Sequence, residues 1–116
     1  MDDSFAVTPA GARGSAVVVR VSGRIDAKTS GQLVEKCLAP CGPGTHLVLN
    51  LAEVTFLSSS GVGAIMVLTE RVKGDGGLLR LASPSSAVRA PLELLNLHRF
   101  LAIDESEDDA ITALGA

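Results

Sequence analysis

Apolar residues recur along this chain in two rhythms. Ala16-Val17-Val18-Val19-Arg20-Val21 is a β-branched run that predicts a strand, ended by Ser22-Gly23. His46-Leu47-Val48-Leu49-Asn50-Leu51 is apolar enough for a central strand buried on both faces, and Leu78 to Ala82 predicts another. Phe5 to Thr8 fits a short edge strand, with Pro9 to Ser15 as the turn that follows, and Phe100 to Ile103 fits a short final strand. Between these runs the spacing turns helical. Leu33, Val34, Cys37 and Leu38 share one helical face, with Asp26 as the candidate N-cap and Pro40, Gly42, Pro43 and Gly44 as the stop. Val62, Ile65, Met66, Thr69 and Val72 mark a second helix, predicted to begin near Gly61 and to close at Lys73-Gly74. Val88, Leu92 and Leu95 mark a third, which ends at Asn96, a residue suited to a left-handed C-cap, and carries Pro91 inside it. Asp104 to Leu114 predicts a fourth, its acids placed at the positive end of the helix dipole.

The resulting order is β-β-α-β-α-β-α-β-α. Strands alternating with helices imply βαβ units and a parallel sheet, which the opening hairpin makes mixed. The expected fold is therefore α/β: a single-layer, mostly parallel sheet of four to five strands packed with four helices. With 116 residues and neither repeat nor linker, one domain over 1–116 is expected.

Composition narrows the function. Hydrophobic residues make up 47% and charged residues 20%, which excludes a disordered chain. The aromatics are Phe5, Phe56 and Phe100 alone, so base stacking on single-stranded nucleic acid has no platform. The net charge is −3, with five acids and no base in residues 104–116, and no basic stripe suited to phosphate tracking. No apolar stretch approaches the ~20 residues needed to span a bilayer. The acidic start Met1-Asp2-Asp3-Ser4 lacks the layout of a signal peptide, and two cysteines do not make a disulfide framework. A cytoplasmic domain without nucleic-acid partner or membrane insertion is expected.

Chemistry concentrates at Ser58-Ser59-Ser60, entering a helix that opens with Gly61 and Gly63. A serine there serves as an N-cap; a bare helix start also accepts an anion or carries a phosphate. Both readings stay open on spacing alone. Nucleophilic catalysis is disfavoured, because Leu57 and Ser58 stand where the Gly-x-Ser-x-Gly elbow needs its first glycine. No phosphate loop or dinucleotide fingerprint is present. Cys37, Cys41 and His46 lack the ligand number and spacing of a structural metal site, so the cysteines read as core residues, and no cofactor or metal is expected.

Several segments together resemble the STAS domain, the sulphate transporter and anti-sigma-factor antagonist family: Gly23-Arg24-Ile25-Asp26-Ala27-Lys28-Thr29, Leu49-Asn50-Leu51, Val54 through Gly63, Gly77 through Leu81, Pro84, Val88 and Leu94-Leu95-Asn96-Leu97. The short chain resembles the stand-alone bacterial antagonists. That resemblance implies a non-enzymatic protein that binds an anti-sigma factor, itself a serine kinase, and so releases a sigma factor. It implies phosphorylation at Ser60, with Ser59 as second acceptor, and reversal by a phosphatase. Asp26, Ser58, Ser59, Ser60, Gly61 and Val62 are the implied partner-binding residues. The sequence departs from the family where Ser58 and Asn50 replace aspartates, two losses of negative charge expected beside the modified serine. Those departures keep a second reading in view, an accessory or scaffold subunit of a lipid-transport ATPase or signalling complex that docks without phosphorylation.

Overall fold

A computed structural model describes residues 4–116; the acidic start at Met1, Asp2 and Asp3 lies outside the described residues. Five strands form one sheet in sequence order: β1 (Ala6–Arg13), β2 (Ala16–Ile25), β3 (His46–Leu57), β4 (Leu79–Ala82) and β5 (Ile103–Asp104). β1 pairs antiparallel to β2, and the remaining pairs are parallel. The helices are α1 (Ser30–Leu38), α2 (Ser59–Gly74), α3 (Ser86–Leu94) and α4 (Glu107–Leu114), with a 3-10 turn at Leu97–Arg99. The expected α/β architecture is thus observed.

The pleat divides the side chains between two cores. Val19, Val21 and Ile25 of β2, Leu47, Leu49 and Leu51 of β3 and Leu81 of β4 face α1, α2 and α3, where they meet Leu33, Cys37, Ile65, Leu68, Val88 and Leu92. The alternate positions Ala16, Val18, Val48 and Ala82 face α4 and meet Ala110 and Ile111. Phe5 packs against the first core from the chain's start.

Several element boundaries differ from expectation, each for a local reason. The stretch from Pro9 to Arg13, expected as a turn, continues β1 across a register shift between Pro9 and Ala12. An edge strand tolerates both the missing proline donor and the bulge. β2 runs through Ser22-Gly23, which pair with Glu53 and Val54; Gly23 takes φ 89° where the register with β3 shifts by one residue before Arg24. β3 likewise extends six residues beyond Leu51. Pro91 lies within α3, which ends three residues later at Leu94, and Asn96 takes the expected left-handed conformation at φ 61°. Leu95, expected on the core face, falls past the helix end and is exposed. Phe100 is not in a strand: β5 begins at Ile103, and Phe100 stands 75% exposed. Asp104 belongs to β5, and α4 starts later, at Glu107, capped by Ser106 whose hydroxyl accepts from the Asp109 N–H at 3.0 Å.

Candidate functional site

The C-terminal ends of β2 and β3 are paired neighbours, with Arg24 opposite Phe56 and Ile25 opposite Leu57. Two turns leave the sheet there side by side. The Ser58 N–H donates to the Ile25 carbonyl at 2.9 Å, tying the start of α2 to the exit of β2. That bond brings the sequence-predicted Asp26 and the three serines to one end of the molecule.

Asp26 does not cap α1, as the sequence suggested; Thr29 occupies that position. The Asp26 carboxylate instead closes the turn before the helix. It accepts from the Lys28 N–H at 2.9 Å and the Thr29 N–H at 3.3 Å, while the Thr29 hydroxyl accepts from the Asp26 N–H at 2.9 Å. An aspartate bonding the backbone two residues ahead competes with helix entry and delays it. Its second oxygen lies 3.8 Å from Arg24 Nε.

Ser58 is the N-cap of α2. Its backbone is extended at φ −85°, ψ 175°, and its hydroxyl accepts from the Gly61 N–H at 3.2 Å. Ser59 and Ser60 are therefore the first two helical residues, and the helix begins two positions before the expected Gly61. Both serines are exposed. Their N–H groups belong to the first turn, beyond the reach of any intrahelical carbonyl, and that turn holds no acidic residue. A phosphate on Ser60 would meet the positive end of a 16-residue helix.

Gly61 and Val62, expected to contact a partner, are buried. A Cβ on Gly61 would lie 2.5 Å from Leu57 Cδ1, 2.8 Å from Ile25 Cγ2 and 2.9 Å from the Ile25 carbonyl oxygen. Gly61 thus lets α2 seat directly on the end of β2, and Val62 packs into the main core. Their contribution is to place the serines. Asn50 also lies apart from the serines, on the sheet face covered by α4. Its amide donates to Glu107 Oε2 at 2.6 Å, and its carbonyl oxygen accepts from the Ala52 N–H at 2.9 Å. An asparagine there supplies a donor that aspartate would lack, so this departure belongs to the attachment of α4 rather than to the serine surface. Of the two departures, only Ser58 touches the serine site.

One feature of this end escaped the sequence reading. The Arg24 guanidinium stacks over the Phe56 ring, 4.1 Å from its centroid, with Phe56 39% exposed. The signal was present, since both residues alternate with the buried Ile25 and Leu57 in paired strands, but it required the parallel register. Elsewhere, Cys37 is buried in the main core, and the thiol of half-buried Cys41 donates to the Cys37 carbonyl at 3.5 Å. Among the described residues there is no cluster of three metal-ligating side chains and no pocket.

The STAS domain family model matches residues 9–110, which includes both turns and the whole sheet except the first residues of β1. The chain belongs to the STAS domain family. This STAS domain is 30% identical over 114 residues to the anti-sigma-F factor antagonist RsfB of Mycobacterium tuberculosis, covering 97% of this chain and 91% of the relative. A crystal structure of an anti-sigma factor antagonist from Mycobacterium paratuberculosis matches it with TM-score 0.85 at 27% identity, over 100% of this chain and 98% of the other. The anti-sigma factor antagonist SpoIIAA in its unphosphorylated form matches with TM-score 0.73 at 25% identity, over 91% and 93% of the two chains.

Proposed function

We propose that this STAS domain is an anti-sigma factor antagonist: it binds an anti-sigma factor through the end of the sheet that carries Asp26, Ser58, Ser59 and Ser60. It acts as a regulator by binding, in the cytoplasm, and phosphorylation of Ser60 by the kinase activity of the anti-sigma factor turns binding off. A phosphatase turns it on again. The observation that carries the reading is the exposed Ser60 hydroxyl in the first turn of α2, beside a serine already committed to capping.

The physics of the switch follows from that position. Phosphorylation adds about −1.5 to −2 charges at neutral pH. The helix dipole and the free N–H groups lessen the cost of that charge within the free domain. In a closed interface the same group is desolvated without a partner. A penalty of about 3–5 kcal/mol there weakens binding by roughly two to four orders of magnitude. With Ser58 in place of an acid, no carboxylate at the cap competes with the phosphate, and Ser59 remains a second acceptor.

The test is to incubate the protein with its candidate kinase and ATP, map phosphate by mass spectrometry, and titrate variants against the anti-sigma partner. Ser60→Ala should bind as wild type and lose kinase control, and Ser60→Asp should bind more weakly. No phosphate on Ser58, Ser59 or Ser60, together with wild-type affinity of Ser60→Asp, would leave a docking subunit without phosphorylation as the reading.

A further inference from the structure

Arg24 and Phe56 occupy a bare part of the sheet directly beside the serine turn. They alternate with Ile25 and Leu57, which lie in the main core, so their side chains leave the opposite face. α4 covers that face only in part. Its first residue, Glu107, meets Arg20 and Asn50, and the chain's last residue, Ala116, lies against Gly14 in the turn before β2. The pair Arg24–Phe56 stands beyond this cover, further along β2 and β3 than the pair Arg20–Asn50. Ser58 is tied to the same place, since its N–H donates to the carbonyl of Ile25, the residue next to Arg24.

The guanidinium is held in position. Its carbon lies 4.1 Å from the Phe56 centroid, and its Nε stands 3.8 Å from Asp26 Oδ2, near enough to attract and too far for a hydrogen bond. Asp26 is itself fixed, because its other oxygen accepts from the Lys28 and Thr29 N–H groups. Other arginines show how this chain uses such a group: Arg13, Arg20, Arg80 and Arg89 each grip a carboxylate of another segment at 2.6–2.8 Å. Among the described residues Arg24 has no carboxylate at that distance, yet it is the arginine stacked on a ring.

Charge selects the occupant. Arg24 and Lys28 set two bases against the single acid Asp26 between the end of β2 and α1, and the cap Ser58 adds no charge. A ring-stacked guanidinium whose side chain is 44% exposed is a preordered fork for a planar anion. A carboxylate suits it better than a phosphate, because Asp26 repels a dianion more strongly than a single charge. We propose, on the reading of this end as an anti-sigma factor site, that Arg24 is a specificity-determining contact: it binds an aspartate or glutamate side chain of that factor. Phe56 and Asp26 position it. The interface then includes the uncovered strip of β2 and β3 as well as the serine turn.

The test titrates the full chain against the candidate anti-sigma kinase, with ADP in place of ATP so that no phosphate is transferred. Arg24→Gln should weaken binding at least about tenfold, and Arg24→Glu about a hundredfold, since it opposes two like charges. Arg24→Lys, which keeps the charge without the fork, should fall between wild type and Arg24→Gln. Phe56→Leu should weaken binding less than Arg24→Gln, and the two losses should not add, which marks Phe56 as acting through the guanidinium. Added salt should weaken the wild type more than Arg24→Gln. Each variant should melt close to the wild type, because the contacts removed are exposed. Arg24→Glu binding within about threefold of wild type, while Ser60→Asp binds weakly, overturns this inference and leaves the proposed function standing. Tighter binding by Arg24→Glu also overturns it, since the partner then presents a base. Wild-type affinity in Arg24→Gln, with slower phosphorylation once ATP is supplied, assigns the guanidinium to a phosphate instead. No binding by the wild type removes the anti-sigma reading and this inference with it.

Discussion

On one face of the sheet, three helices cover a continuous layer of Leu, Ile and Val; on the other, one eight-residue helix covers alanines and valines. The second face compensates with charge. Arg20 grips Glu107 through Nε at 2.8 Å and Nη2 at 3.0 Å, and Asn50 joins the same carboxylate. Arg13 pairs with Asp108 at 2.8 Å, Arg80 with Asp104 at 2.6 Å and Arg89 with Glu105 at 2.7 Å. Arg20 and Arg13 thus tie α4 to β2 and β1, while Arg80 and Arg89 tie Asp104 and Glu105, just before it, to β4 and α3. Buried aliphatic area carries no charge to titrate or screen, whereas ion pairs with exposed partners are screened by salt and lost on protonation. One molecule thus contains a face that should yield only to global unfolding and a face that solution conditions can loosen.

Thiol reactivity should show the largest contrast. Burial pushes the Cys37 thiol up to about 12, with Cys41 adding to the shift, and its side chain is sealed in the main core. Cys41 is raised by burial and then by the Asp75 carboxylate, but it remains half-buried and reachable. Native protein should show one thiol reacting at neutral pH. The second should appear at least about a thousandfold more slowly, through unfolding. Two fast groups, or a disulfide between them, would show that the main core opens readily.

Denaturant unfolding of paired truncations sharpens the same contrast. Leu49→Ala in the main core should cost about 4 kcal/mol, and its neighbour Val48→Ala, facing α4, about 2 kcal/mol. Equal losses would mean that the two faces are equally well packed. Gly61→Ala tests the joint between α2 and the sheet, where the added methyl meets Leu57 and Ile25. Overpacking there should cost about 2–3 kcal/mol and shift the serines as well, so partner affinity should fall along with stability.

The attachment of α4 should respond to acid. The guanidinium of Arg20, hydrogen-bonded to Glu107, holds its carboxyl below the ordinary carboxylate value; burial opposes the shift and Asn50 reinforces it. A carboxyl lowered in the folded state contributes stability that is complete above the unfolded value of about 4.3 and is lost as pH falls through the folded value. Stability should accordingly decline below about pH 5, and Glu107→Gln should flatten that decline while costing roughly 1 kcal/mol at neutral pH. Added salt should weaken the wild type more than the variant. An identical acid profile for both would show that α4 is held by packing.

The main face was readable from the sequence, since alternation in strands and three-to-four spacing in helices report burial directly. The second face was not. Residues 104–109 read as a solvated acidic helix start, because their arginine partners lie 16 to 95 residues away and only the sheet register brings them together. The same limit applied at the functional end. The serine run announced a helix start, but which serine caps depends on where β3 stops, and β3 ran six residues further than its apolar run. The hydrophobic pattern put Leu95 on the face of the third helix and Phe100 at the start of the last strand, but the helix ends at Leu94 and the strand begins at Ile103, so both stand exposed.

The smallest expected effect separates two adjacent roles. Ser58 and Ser60 are alike in sequence and both could cap, yet only the Ser58 hydroxyl satisfies the Gly61 N–H. Ser58→Ala should therefore cost about 1 kcal/mol, while Ser60→Ala should change stability by less than about 0.5 kcal/mol. Ser60→Asp should raise stability by a few tenths of a kcal/mol, since an acid in the first turn suits the dipole. Partner affinity should follow the opposite order, with Ser60→Asp the most damaging and Ser60→Ala neutral. Thermal melts and partner titrations on the three variants decide the assignment. A loss of stability in Ser60→Ala that matches Ser58→Ala would mean that Ser60 shares the cap, and a hydroxyl engaged in capping is a poor acceptor for a phosphoryl group.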